Sequence, residues 1–183
     1  MERCKTLCVG GGLLWLLSLS AVSHAALSLQ TNAKVSFLVS GPAGMKIEGT
    51  TSELKVTDDG TNLILVVPLA SLTTGISLRD KHMKDDLEVS KYPEASLTIA
   101  RSALNFPANG ASAEADVSGI LTLHGQTKPV SVHYDAKADS GAFLAHGKIH
   151  FNMSDFGVVV PSYLGVTVKP ETDVNANFKV TGS

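Results

Sequence analysis

The chain has 183 residues, 44% hydrophobic and 17% charged, with 15 Lys and Arg against 17 Asp and Glu for a formal charge of −2. That balance leaves no basic excess to follow a phosphate backbone, so nucleic acid is excluded as the expected partner, and the hydrophobic fraction is too high for a disordered chain. A single domain with its own packed core fits these values.

Residues 1–25 begin with a short basic start, Met1-Glu2-Arg3-Cys4-Lys5, run apolar from Leu7 to Val22, and end in Ser23-His24-Ala25. Small residues at the third and first positions before Ala26 complete the pattern of a secretory signal peptide. The functional domain is therefore expected to span 26–183 and to be exported, most simply to a bacterial periplasm. Cys4 and Cys8 both fall in the removable segment, which leaves the domain without a thiol, a disulfide or a Cys-based metal site.

In chain order, residues 33–39, 45–56 and 61–69 are strand candidates of irregular pattern. Residues 77–86 read as the one helix, where Ser77-Leu78-Arg79-Asp80 resembles a capping box and Ile76, Met83 and Leu87 share a side. Its expected place is over one end of the sheet. After a strand candidate at 95–104, period-two alternation becomes clear. Ala115, Val117, Gly119, Leu121 and Leu123 form one inward set, and Val130, Val132, Tyr134 and Ala136 a second. Phe143, Ala145, Gly147, Ile149 and Phe151 follow, and Val174, Ala176, Phe178 and Val180 close the series. Turns are expected at His124-Gly125-Gln126-Thr127 and Ala138-Asp139-Ser140-Gly141. The fold class is all-β, an antiparallel barrel of about eight strands with one short helix covering an end. Small inward residues (Ala115, Gly119, Ala145, Gly147, Ala176) would underfill such a barrel, and an eight-stranded barrel has room for side chains or for one small ligand.

Catalytic chemistry finds little support. There is no Gly-x-Ser-x-Gly elbow and no carboxylate pair forced together, and Asp80 and His82, two apart on a helix, do not share a face. A two-residue loop at Asp139-Ser140 would set His133 opposite His146 on the wet face, but His150 is too far along the strand to complete a metal site, so no metal ligand is assigned. Asn152-Met153-Ser154 fits a glycosylation acceptor, and Ser154-Asp155-Phe156-Gly157 reads as a turn.

Four blocks carry a resemblance: Arg79-Asp80-Lys81-His82-Met83, Lys91-Tyr92-Pro93, Gly119 to Val130 with its Thr122-Leu123-His124-Gly125-Gln126-Thr127 centre, and Ser154-Asp155-Phe156-Gly157. In order and spacing they resemble the YceI-like family across about 30–181. The resemblance implies a lipocalin-like barrel, exported to the periplasm, whose elongated apolar pocket holds a polyisoprenoid or an isoprenoid quinone. It also implies a pocket-mouth motif of Arg79, Asp80, His82 and His124. Leu97, where the family has Phe, and an aromatic content of only 5% make a wider or shallower pocket the expectation here.

On side-chain parity, the residues expected to face the ligand are Phe37, Leu97, Ile99, Val117, Leu121, Val132, Tyr134, Phe143, Ile149, Val174 and Phe178. Neither a catalytic residue nor a cofactor is expected. The expected partner is the lipid, with transient membrane contact, and the state is monomer or homodimer. Two other readings stand beside the carrier: an interaction module with a filled core, and a metal-dependent activity using His82, His124 or the His133 and His146 pair.

Overall fold

The computed structural model describes residues 26–30, 33–163 and 166–182; the expected signal peptide, with Cys4 and Cys8, lies outside the described residues. The strands are β1 (Leu27–Leu29), β2 (Lys34–Ser40), β3 (Lys46–Thr51), β4 (Lys55–Asp58), β5 (Asn62–Pro68), β6 (Glu94–Ala100), β7 (Ser112–Leu123), β8 (Gln126–Asp139), β9 (Ala142–Asn152), β10 (Ser162–Tyr163), β11 (Val166–Thr167) and β12 (Glu171–Gly182). Every pairing is antiparallel, in the order β1-β4-β5-β6-β7-β8-β9-β12, and β12 returns to β1 through Leu27↔Gly182 to Leu29↔Val180. The sheet thereby closes into an eight-stranded barrel. Closure removes the free edges that an open sheet would present.

Two of the eight positions around the barrel are shared by broken strands. β12 pairs with β2 at Thr172–Asn177 and with β1 further on, so β1 and β2 are successive halves of one position. The expected strand at 45–56 is likewise split into β3 and β4 around Ser52, Glu53 and Leu54. The cause is visible at Thr51. Its hydroxyl bonds Ser71 Oγ at 2.7 Å and accepts the Glu53 N–H, while Thr50 exchanges backbone bonds with Thr73. The edge of β3 is covered by 71–73, and only β4 continues the ladder to β5.

The helix α1 (Ser77–Asp86) stands where alternation gives way to helical spacing, but its start differs from a capping box. No side chain caps it; Asp80 reaches back to accept the Thr74 N–H at 2.6 Å and the hydroxyls of Thr73 and Thr74. Met83 and Leu87 pack against the core as expected, whereas Ile76 is 53% exposed.

The hairpin turns are His124-Gly125 and Ser140-Gly141, with φ of 51° and 73°, and 51° and 80°. Positive φ at both central residues is the two-residue geometry that matches strand twist, and Gly supplies the second at no steric cost. Centring the second turn on Ser140-Gly141 corrects the expected register: His133 faces Lys148, and His146 faces Asp135. His133 bonds Asp116 at 3.0 Å and His146 lies 3.6 Å from Asp135, so the proposed imidazole pair does not form. Among the described residues, no group of three or more His, Cys, Asp or Glu is arranged to hold a metal ion.

Candidate functional site: an apolar cavity along the barrel axis

Inward-facing side chains do not fill the barrel. A cavity of about 1020 Å³ runs through it, at the upper end of the roughly 300–1,000 Å³ usual for small-molecule sites. Well-packed interiors hold few voids larger than a water molecule, so this space is not a packing defect. The filled-core reading is therefore not supported.

Of the residues expected to face a ligand, Phe37, Leu97, Ile99, Leu121, Val132, Tyr134, Phe143, Ile149, Val174 and Phe178 all line the cavity. Val117 does not. The β6–β7 ladder ends at Ile99↔Gly119, so Val117 lies past it and packs on the core. There the segment 101–111 replaces β6: Asn105 N–H bonds the Tyr134 hydroxyl at 2.7 Å, and Leu104, Asn105 and Phe106 line the cavity in place of a strand. Parity gave the side of the sheet but not how far the hollow extends along it. Leu63, Leu65, Val67, Leu69, Met153 and Val158 also line it, from strands and loops whose alternation is too irregular to single them out.

The inward glycines divide into two kinds. A Cβ on Gly119 would stand 2.9 Å from both Leu97 Cδ1 and Val132 Cγ2, so that gap is already filled by neighbours. A Cβ on Gly147 would meet nothing within 4 Å, and Ala145 and Ala176 beside it are lining residues too. The hollow therefore reaches the small side chains of β9 and β12 with nothing standing against Gly147. His146 and Lys148 also border it, although alternation with Ala145, Gly147 and Ile149 turns their side chains to the outer face.

At the end of the barrel away from α1, Phe106 meets Phe143 edge-on at 5.7 Å. A buried ion pair ties the same end. The Asp58 carboxylate, fully buried, contacts Arg101 and accepts the N–H groups of Leu27 and Gly60 at 2.9 Å each. Burying this charge is tolerable because it is paired and each carboxylate oxygen has a donor.

At the α1 end the four motif blocks separate into two groups. Arg79 and His82 line the cavity mouth; Asp80 and His124 do not. Arg79 donates from Nε to Thr74 Oγ1 and from Nη2 to Thr74 O, both at 2.9 Å, so it ties α1 to the 73–74 loop that Asp80 also holds. His124 belongs to a clasp outside the mouth. Its Nδ1–H donates to Phe156 O at 3.2 Å, its ring meets Tyr92 at 4.7 Å, and Nε2 lies 3.7 Å from Glu88 Oε1. Tyr92 lies so close over Gly125 that a Cβ there would stand 2.6 Å from the ring. Phe156 is only 2% exposed, and Gly157 closes its turn at φ 72°. Asn152 caps that turn by accepting the Ser154 N–H at 2.9 Å, a structural use of the acceptor-like triplet. Among the mouth residues missed is Asp86, which lines the cavity one helical turn beyond His82. Burial pushes its carboxyl above the usual carboxylate value, against the opposing pull of His82.

This arrangement matches known proteins. A solved polyisoprenoid-binding domain from Saccharophagus degradans superposes with a TM-score of 0.75 at 20% identity, covering 87% of this chain and all of that one. Burkholderia cenocepacia BcnA gives a TM-score of 0.65 at 19% identity over 81% of this chain and 96% of that one. A UPF0312 protein of Pseudomonas savastanoi pv. phaseolicola is 35% identical over 142 residues, which is 72% of this chain and 68% of that protein. The model of the YceI-like domain matches residues 22–180, and the chain belongs to the YceI-like domain family.

Proposed function

We propose that the protein is an exported carrier or buffer of a polyisoprenoid or isoprenoid-quinone lipid, a binding protein and not an enzyme. One observation carries the reading: the barrel is hollow, and its wall is made mostly of Leu, Ile, Val, Phe, Met and Ala residues. Such a wall offers burial and little else. Each isoprene unit brings roughly 100 Å² of apolar surface, so about 25 cal/mol per Å² gives on the order of 2–3 kcal/mol of gross transfer per unit. Ordering a flexible chain subtracts from this, and a few units still suffice for tight retention. The solved polyisoprenoid-binding domain with the same fold supports the ligand class, and the signal-like residues 1–25 support export.

Native mass spectrometry of protein purified without detergent tests this. The expected result is an added mass that organic extraction identifies as an isoprenoid. Protein that carries no added mass, and takes none up from a polyisoprenoid dispersion, would contradict the reading.

A further inference from the structure

The described residues include seven large hydrophobic side chains with high exposure, and five of them also line the cavity: Phe106 at the end away from α1, and Met45 (40%), Ile76 (53%), Leu78 (57%) and Val159 (67%) at the mouth. The four at the mouth come from three separate segments: the β2–β3 connection, the start of α1 and the chain after the Ser154–Gly157 turn. Backbone bonds gather these segments at one end. Thr50 and Thr73 exchange bonds across β3, Lys169 N–H donates to Ser40 O at 2.7 Å, and Val168 N–H donates to Pro161 O. The exposed apolar groups thus form a rim around the opening, continuous with the wall inside. A soluble protein gains nothing from displaying such a ring to water.

Charge around the rim is specific as well. Lys46 follows Met45, Lys81 lies three residues after Leu78 on the same face of α1, and Lys169 sits beside the β2–β3 connection; all three are exposed. None of the three is ion-paired among the described residues. Of the acids on these segments, Asp80 is occupied by Thr73 and Thr74, Asp85 and Asp86 lie a turn further along α1, bordering the cavity, and Glu48 and Glu171 stand two residues along the chain from Lys46 and Lys169. Three exposed cations thus stand on the same segments that carry the apolar rim.

From this juxtaposition we infer that the mouth docks on an anionic phospholipid bilayer, with Met45, Ile76, Leu78 and Val159 entering the headgroup region and Lys46, Lys81 and Lys169 contacting lipid phosphates. The inference rests on the carrier reading and supplies its loading step: a water-insoluble chain passes from the bilayer into the wall without crossing water. Amphipathic rims bind in this way through apolar burial plus attraction to anionic lipid.

Sedimentation with vesicles of phosphatidylethanolamine and phosphatidylglycerol tests it. The protein should bind these vesicles, bind vesicles of phosphatidylcholine alone much less, and lose binding as salt is raised. Lys46→Glu, Lys81→Glu and Lys169→Glu, none of which lines the cavity, should each weaken binding roughly fivefold or more while leaving any co-purified lipid mass in place. Ile76→Glu with Leu78→Glu should abolish vesicle binding. Lipid-loaded protein that ignores the vesicles, or vesicle binding untouched by the lysine reversals, overturns the docking surface and leaves the carrier intact. A wild-type dimer that the Ile76 and Leu78 changes dissociate would also overturn it, since the rim would then be a contact between copies. Loss of the lipid mass in wild type would bring down the carrier reading itself.

Discussion

Gly147 is the residue on which the hollow depends most directly. Its missing Cβ faces open space, unlike Gly119, whose absent side chain is replaced by Leu97 and Val132. Gly147→Phe should therefore project a ring into the cavity with little change in melting temperature, and native mass spectrometry should show the lipid mass gone. Retained lipid in a folded variant would place the chain elsewhere. Asp86 makes a second prediction at this scale. Its folded pKa stands above the ordinary 3.8 because burial at the mouth disfavours the carboxylate. The ionised form thus costs stability, and that cost is relieved as pH falls through the raised value. A lipid chain entering the mouth would bury Asp86 further, so binding should take up protons and tighten as pH falls toward that value. A pH series of dissociation constants should show this slope in wild type and not in Asp86→Asn; equal slopes would contradict it.

Elements were legible to different degrees. Strict alternation in β7, β8, β9 and β12 shows which side chains face inward, because a one-residue slip would turn an apolar set to water. Register was less legible, since moving the turn from Asp139-Ser140 to Ser140-Gly141 changes every partner across the hairpin while leaving parity intact. The roles of the motif residues were not legible at all. His124 reaches Phe156 across 32 positions and Asp58 reaches Arg101 across the barrel end, contacts that no local pattern encodes. Both are predicted to be structural. His124→Ala leaves Phe156 O without its donor and Tyr92 without its ring partner, which should cost about 2 kcal/mol, or roughly 4–8 °C in melting temperature, with lipid content unchanged. Loss of lipid at an unchanged melting temperature would instead place His124 in the binding path. Asp58→Ala and Arg101→Met should each cost about 3–5 kcal/mol, because each strands a buried charge. The double variant should cost far less than both combined, as denaturant titration of the full cycle would show, and simple additivity would remove the pair's structural role.

The whole molecule joins two properties that alternation alone does not separate, a closed barrel and an empty one. Closure follows from β12 meeting both β9 and β1, and it makes the interior inaccessible except at the ends. Emptiness follows from side-chain volume: Ala145, Gly147 and Ala176 sit side by side on adjacent strands, and the segment 101–111 stands off where β6 ends. A period-two pattern shows direction and says nothing of volume. The two ends then divide the work, with Asp58, Arg101, Phe106 and Phe143 holding one and α1 with its apolar rim bordering the other.

The most direct measurement is a nuclear Overhauser experiment on methyl-labelled protein loaded with a polyisoprenoid. Cross-peaks from the isoprenoid methyls should appear to Leu121, Val132 and Ile149, side chains that solvent barely reaches, and should extend to Val174 on the cavity wall. Cross-peaks confined to Ile76, Leu78 and Val159, with the deep methyls silent, would mean that the chain only rests on the rim.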